Sequence, residues 1–160
     1  MPEIAKVKQF LCGHNITVLE FDNETPTAGS AAVVVGCSPA EIAKSILLLV
    51  GGVPVLVVTS GDTKVNSSKL KRVTGLRGKV KLPAAAEVLD YTGYTPGGVC
   101  PFLLPDDLPV YLDLSLQRFT IIYPAAGNEF SAVPIDYEAL QRLTNGISAD
   151  IAVPLPENRS

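Results

Sequence analysis

Lys44 is the residue whose type and setting point most clearly to chemistry. It stands between Ala43 and Ser45 at the start of an apolar run that predicts a buried strand. Moving a lysine ammonium group into a protein core is unfavourable unless the charge meets an anion. Lys44 is therefore a candidate for binding a substrate anion. The alternative is a lysine at a strand end whose ammonium group extends back to water.

The second candidate is the loop from Tyr94 to Phe102, which reads YTPGGVCPF. Its two glycines, followed by Pro101, predict an unusual backbone course. Such a loop can turn several N–H groups towards one point, where they would stabilise a carbonyl oxygen that develops negative charge. The alternative is an ordinary tight turn.

Side chains for covalent or metal chemistry are scarce. His14 is the only histidine, which excludes a histidine-rich metal site, and a Ser-His-Asp triad would have to use it. Its position at the end of the first predicted helix favours a capping role. Cys12, Cys37 and Cys100 are far apart and odd in number, which argues against a disulfide framework and a CxxC metal site. We expect no metal and no cofactor.

A local excess of positive charge suggests a nucleic-acid partner, although the net charge is -3. Residues 63–83 contain seven basic residues and no acidic one, whereas the remainder of the chain carries 6 basic and 16 acidic residues. A patch of this kind can bind a phosphate backbone by charge pairing and counterion release. The alternative is a solvated helix face with a basic loop. The seven residues are Lys64, Lys69, Lys71, Arg72, Arg77, Lys79 and Lys81.

The elements that position these residues follow from apolar patterning. Two apolar runs, 46–50 and 53–59, are split by Gly51-Gly52 and predict a hairpin of central strands covered on both faces. Further strands are predicted over 16–21, 80–82, 110–113, 120–123 and 129–135. Helices are predicted from the start of the chain to Gly13, over 27–35, from Asn66 or Ser67 to 73, over 84–91, and after Asp136 to 143. The tail after Val153 is predicted to fray.

The mixed order of strands and helices indicates one α/β domain around a mixed sheet, and 160 residues fit a single domain. The sequence has no run of about 18 uncharged apolar residues and no signal-peptide pattern at its start. We therefore expect a cytoplasmic protein without a membrane span.

Taken together, the motifs resemble the YbaK/EbsC family of aminoacyl-tRNA deacylases, which is related to the editing domain of prolyl-tRNA synthetase. Each motif is weak alone, but their order and spacing are specific over roughly residues 16–150. The resemblance implies a mixed, barrel-like sheet with surrounding helices, a fold of the α+β type. The matching motifs are Thr27-Ala28, Ile42 to Leu47, Gly93-Tyr94, Gly97 to Phe102, Val110 to Leu116, and Ala126-Gly127.

The resemblance also implies roles for individual residues. The lysine matching Lys44 holds the end of the tRNA acceptor or the substrate ester. A loop matching Gly97, Gly98, Val99, Cys100 and Pro101 binds the ester carbonyl through backbone N–H groups. A positioned water, or the substrate's own hydroxyl or thiol group, attacks the ester, so no side-chain nucleophile is needed. The expected substrate-binding residues are Thr27, Ser45, Asp113, Ala126 and Gly127.

Several positions depart from the family pattern. Cys100 stands where serine is common, Leu103 where glycine is common, and Ala125 where serine is often found. Residues 130–135 lack the acid carried by Cys-tRNA(Pro) deacylases, which argues against that particular substrate. Because no histidine is expected nearby, we interpret Cys100 as a substitute for serine and not as a nucleophile.

We therefore predict a trans-editing hydrolase that deacylates mischarged aminoacyl-tRNA. Its partners would be aminoacyl-tRNA and, as a further candidate, an aminoacyl-tRNA synthetase. Two alternatives stay open: a non-catalytic tRNA- or ligand-binding module of the same fold, and a small-molecule ester hydrolase with no tRNA partner.

Overall fold

Strands and short helices are interspersed along the chain in a computed structural model that describes residues 4–25 and 27–156. The helices are α1 (Ile4–Cys12), α2 (Ala28–Val35), α3 (Ser67–Thr74), α4 (Ala85–Thr92) and α5 (Tyr137–Thr144). The strands are β1 (Leu19–Glu20), β2 (Ala43–Val50), β3 (Val53–Ser60), β4 (Thr63–Val65), β5 (Val80–Lys81), β6 (Val110–Asp113), β7 (Ser131–Ala132), β8 (Ile147–Ala149) and β9 (Ala152–Pro154).

The strands of the described residues form three sheets. The central sheet has the order β5-β2-β3-β6-β8 and is mixed, because β3, β6 and β8 pair in parallel whereas β2 pairs antiparallel with its neighbours. Two-stranded sheets are formed by β1 with β7 and by β4 with β9. The predicted mixed α/β fold is thus confirmed. Its barrel-like closure is not, because the central sheet ends in β5 and β8.

The predicted hairpin is confirmed as the centre of the molecule. Strands β2 and β3 pair from Ala43↔Ser60 to Val50↔Val53. Gly51 and Gly52 have φ values of 57° and 85°, which the two-residue turn requires and which glycine adopts without strain. Successive β3 residues enter different apolar clusters, so the hairpin is buried on both faces. The larger cluster lies under α1 and α5 and includes Leu11, Phe102 and Leu140.

Helix ends follow the local sequence. Thr27, Asn66 and Asp136 each accept a hydrogen bond from a backbone N–H in the first turn of α2, α3 and α5. Gly36 and Gly75 end α2 and α3 in the left-handed conformation. The predicted bounds of these three helices are therefore confirmed to within one residue.

Other strand predictions were wrong in length. The strand predicted over 129–135 is reduced to β7, and residues 120–123 contribute only isolated bridges from Ile122 and Tyr123. Pro124 and Pro134 interrupt these segments because proline has no N–H to give to a sheet. The fraying predicted after Val153 does not affect Pro154 and Leu155, since β9 extends to Pro154 and the Leu155 N–H donates to the Asp62 carbonyl at 2.9 Å. Residues 157–160 lie outside the described part.

Candidate active site

A cavity of about 540 Å³ lies where β2, the start of α2, the 96–99 loop and the 123–132 segment meet. This volume is within the range of small-ligand sites. Ile42, Val99 and Ala125 contribute apolar surface. Its polar lining includes Thr27, Lys44, Ser45, Asn128 and Glu129.

Strand β2 presents an open edge to this cavity. It pairs with β3 along its length but with β5 only at Leu49 and Val50. In an antiparallel pair of strands, hydrogen-bonded and non-hydrogen-bonded residue pairs alternate. Val50 and Val53 close the turn as a hydrogen-bonded pair, so Ser45 belongs to a non-hydrogen-bonded pair. The backbone N–H and C=O groups of Ser45 therefore point away from β3. The Ser45 hydroxyl is also buried and has no hydrogen-bond partner among the described residues. Ser45 therefore lines the cavity, as expected, with unused hydrogen-bonding groups.

Lys44 lies in the wall of the cavity and is half-buried. Its Nζ donates a hydrogen bond to the Thr63 carbonyl at 2.5 Å and forms no ion pair with a described residue. Burial lowers the pKa of Lys44 below its usual value, and the negative charge of Asp62 opposes this shift. Asp62 is itself bound by Arg118 at 2.7 Å. The ammonium group of Lys44 thus has no direct counter-ion among the described residues.

The glycine loop contributes only part of the expected surface. Gly97 and Val99 line the cavity, whereas Gly98, Cys100 and Pro101 are buried. Residues Pro96–Gly98 form a 3-10 turn in which the Gly98 N–H donates to the Thr95 carbonyl at 2.8 Å. The Gly98 N–H group therefore already has an acceptor. The N–H groups of Gly97 and Val99 are the better candidates to bind a substrate.

Cys100 does not line the cavity, which corrects its expected place in the catalytic loop. Its side chain is fully buried, and Sγ donates to the Phe102 carbonyl at 3.8 Å. Burial raises the pKa of the Cys100 thiol to about 11. A reactive cysteine requires the opposite conditions, namely access and a lowered pKa. The neighbouring Pro101 is also buried outside the cavity.

A family model described as an aminoacyl-tRNA editing domain matches residues 22–143. The chain belongs to this family. The resemblance to YbaK/EbsC proteins is thereby confirmed, and the cavity of this editing domain is formed largely within the matched segment.

Several known proteins resemble the editing domain over most of its length. The uncharacterized protein YwhH of Bacillus subtilis is 38% identical over 128 residues, which are 79% of this chain and 80% of YwhH. EbsC of Enterococcus faecalis, whose name proposes a Cys-tRNA(Pro)/Cys-tRNA(Cys) deacylase, is 31% identical over 78% of this chain and 76% of its own. A solved structure described as a proposed trans-editing enzyme for prolyl-tRNA synthetase superposes with a TM-score of 0.84 at 27% identity, covering 96% of this chain and 99% of that one.

The editing domain also resembles part of a synthetase. Proline--tRNA ligase of Bacillus licheniformis is 32% identical over 119 residues, which are 72% of this chain but 21% of the ligase. The similarity therefore concerns one segment of that enzyme.

Three expected substrate-binding residues do not line the cavity. Asp113 is buried, and its Oδ1 accepts hydrogen bonds from the N–H groups of Ile151 and Ala152 at 2.8 and 2.9 Å. Ala126 is fully buried. Gly127 packs against the loop, because a Cβ added to Gly98 would lie 2.5 Å from the Gly127 carbonyl oxygen. Gly127 thus supports the glycine loop, whereas Asp113 holds backbone segments of the fold, and the expected contact of the three residues with substrate has no counterpart in the cavity lining. Thr27 does line the cavity, and its hydroxyl caps α2 by accepting from the Ser30 N–H at 3.0 Å.

Glu129 is one of the cavity residues that lie outside the sequence motifs. It comes from a segment held in place by Thr25, whose N–H and hydroxyl both donate to the Glu129 carbonyl, at 2.7 and 2.6 Å. Asn128 lies beside it in the cavity wall, and its side chain accepts from the Phe130 N–H at 2.9 Å. The sequence places this acid at the start of the strand predicted over 129–135, where no motif marks it as a site residue.

The seven basic residues of the 63–83 stretch lie outside the cavity lining and are spread over β4, α3 and the region of β5. Lys69 forms an ion pair with Asp150 at 2.9 Å and also donates to the Ala152 carbonyl. The other six are exposed and form no ion pair with a described residue. Lys79 and Lys81 border a second cavity of about 470 Å³ near the β2–β3 turn.

Within residues 4–25 and 27–156, no group of three His, Cys, Asp or Glu side chains is placed to hold a metal ion. In the same ranges, no helix has the length and apolar character needed to cross a membrane.

Proposed function

We propose that this chain hydrolyses the ester bond of mischarged aminoacyl-tRNA, acting in trans in the cytoplasm. The observation that carries the proposal is the meeting of Lys44 with Gly97 and Val99 at one cavity, in a chain of the editing-domain family. The names of two similar proteins, a proposed Cys-tRNA deacylase and a proposed trans-editing enzyme, support the same reaction.

Lys44 would bind the terminal phosphate or ribose of the acceptor end. Its ammonium group has no direct counter-ion among the described residues, so an incoming phosphate would supply the missing negative charge. Ala28 and Gly29, at the start of α2, line the same cavity. The partial positive charge at that helix end would add to the attraction of Lys44 for an anion.

The 97–99 loop would act on the reacting carbonyl. Water attacks the carbonyl carbon, and the negative charge moves to the carbonyl oxygen, where the N–H groups of Gly97 and Val99 can stabilise it. Collapse of this intermediate breaks the bond to the ribose oxygen, which takes up the proton released by the attacking water and leaves as the free hydroxyl group. The products are the free amino acid and uncharged tRNA.

No side-chain nucleophile is assigned. Cys100 is buried with a raised pKa, and Ser45 has no histidine beside it to act as a base, since His14 lies at the end of α1. Rate acceleration would come from positioning and from stabilisation of the oxyanion, two effects that do not need a covalent intermediate.

The proposal is tested by a panel of mischarged tRNAs incubated with the purified protein. Release of the amino acid should exceed spontaneous hydrolysis for at least one member and should rise with protein concentration. Lys6→Ala, a change in an exposed residue of α1, should leave the rate unchanged. Tight tRNA binding without release would indicate a binding module. Cleavage of simple esters without tRNA binding would indicate a small-molecule hydrolase.

A further inference from the structure

The carboxylate of Glu129 lies directly against the loop that would hold the ester carbonyl. A Cβ added to Gly97 would be 2.2 Å from Glu129 Oε1, so the carboxylate occupies the space beside the Gly97 backbone. Both residues line the 540 Å³ cavity. The backbone position of Glu129 is fixed by the two hydrogen bonds that Thr25 donates to its carbonyl.

The carboxylate of Glu129 has no structural partner among the described residues. Its oxygens form no hydrogen bond and no ion pair with any residue of 4–25 or 27–156. A partly buried carboxylate without a partner favours a cationic ligand, because a cation restores part of the solvation that burial removes.

An aminoacyl ester carries such a cation at a fixed place. Its α-ammonium group is attached to the carbon next to the ester carbonyl, so whatever binds the ammonium must lie close to whatever binds the carbonyl oxygen. Glu129 against Gly97 satisfies that requirement. Lys44, the positive group of the same cavity, is then left for the phosphate of the nucleotide.

We propose that Glu129 binds the α-ammonium group of the substrate and so restricts the site to esters of amino acids with a free amine. This inference rests on the proposed deacylation and specifies its substrate class. An N-acylated aminoacyl-tRNA has no positive charge at this position, and its acyl group would lie against a carboxylate that it cannot neutralise.

The test compares one aminoacyl-tRNA that the wild type cleaves with its N-acetyl derivative, each rate divided by the spontaneous rate for the same ester. The wild type should favour the free amine by about 10- to 100-fold, the scale of one charge-assisted hydrogen bond. Glu129→Gln should lose most of that preference by slowing only the free-amine substrate. Glu138→Gln, a change in an exposed residue of α5, should behave as wild type.

Two results would overturn the inference. An equal decrease in the cleavage rates of both substrates in Glu129→Gln would mean that Glu129 acts on the ester itself, for instance as a base. An unchanged preference in Glu129→Gln would mean that another group binds the amine. Thermal unfolding of each variant separates these results from misfolding.

If the wild type cleaves no ester in the panel, the proposed reaction fails but the inference can still be decided. Calorimetry with an uncleavable 3′-aminoacylamido adenosine and its N-acetyl form measures the same preference as binding. The wild type should bind the free amine about 10-fold more tightly, and Glu129→Gln should bind both equally. Equal binding of the two analogues by the wild type would refute the role of Glu129.

Discussion

The carboxylate of Asp113 accepts a hydrogen bond from the backbone N–H of Ile151 at 2.8 Å, and so joins the end of β6 to the chain just before β9. The same oxygen accepts the Ala152 N–H, and Oδ2 accepts the Ser115 N–H at 3.0 Å. All three donors are backbone groups, so the carboxylate holds together segments that are distant in the sequence. Its function is therefore to fix the fold around β6.

Replacing Asp113 with alanine should lower the free energy of unfolding by about 3 kcal/mol, because the N–H groups of two buried residues lose their acceptor at about 1–3 kcal/mol each. Asp136→Ala is the matched control, since Asp136 is exposed and only caps α5, a role worth about 1 kcal/mol. Urea denaturation measures both losses. Equal losses in the two variants would contradict the structural role of Asp113.

Asp113→Asn distinguishes this role from substrate binding. It keeps one acceptor oxygen for Ile151 and Ala152, so most of the stability should return. A stable Asp113→Asn protein should deacylate at nearly the wild-type rate. A folded but inactive Asp113→Asn protein would indicate that Asp113 binds substrate, contrary to its buried position.

The sequence could predict those parts of the fold whose causes are local. The hairpin follows from two apolar runs and two glycines, and the starts of α3 and α5 follow from Asn66 and Asp136. Strands β4, β8 and β9 have three residues each, which is too short for a period of two to be detected. They exist because partners elsewhere in the chain pair with them.

The same distinction between local and long-range causes applies to the residues of the candidate site. Lys44 and Gly97 can be recognised from the sequence because an isolated lysine at the start of a buried strand and a glycine pair are unusual in themselves. The roles of Asp113 and Glu129 depend on contacts with residues 38 and 104 positions away, respectively. The local sequence does not indicate that such contacts bury the carboxylate of Asp113 in the fold and leave the carboxylate of Glu129 facing a cavity.

Cys100→Ser should retain most of the deacylase activity, because the Cys100 thiol is fully buried and neutral with a pKa raised to about 11. In the native protein, an alkylating reagent should modify the exposed Cys12 and should reach Cys100 only after unfolding. Mass spectrometry of the alkylated peptides and an assay of the serine variant check both statements. Loss of activity with the fold intact, or an acyl group trapped on Cys100, would show a covalent mechanism.

Lys44→Ala should slow deacylation by about 100-fold, the scale of losing one positioned electrostatic contact, while the protein stays folded. The matched control is Lys6→Ala in α1. Wild-type activity in a well-folded Lys44→Ala protein would refute the assignment of Lys44 to substrate binding.

The pH dependence of anion binding provides an independent test of Lys44. Only the protonated form attracts an anion, and burial lowers the pKa of Lys44, so affinity is present at lower pH and is lost as pH rises. The loss should occur below the pKa of an exposed lysine. Titrations with adenosine monophosphate at several pH values measure it, and the same titrations of Lys44→Ala should show no such fall.

The exposed basic residues of the 63–83 stretch should bind the tRNA backbone outside the cavity. Each phosphate contact releases counterions, so affinity for tRNA should fall steeply with salt. Reversing two charges, Arg72→Glu with Lys79→Glu, should weaken binding and flatten the slope of log affinity against log salt by about one to two units. These two residues are suitable because both are exposed and unpaired among the described residues, whereas Lys69 is bound to Asp150.

The control for this experiment carries the same change in net charge on other surfaces, Lys6→Glu with Arg142→Glu, on α1 and α5. It should keep a slope closer to that of the wild type, because general repulsion changes affinity without removing specific phosphate contacts. Hydrolysis of a short acyl-adenosine, which reaches the cavity but not the 63–83 stretch, should be similar in all three proteins. If both double variants show the wild-type slope, these basic residues form only a solvated surface, and the tRNA contact must lie on another face.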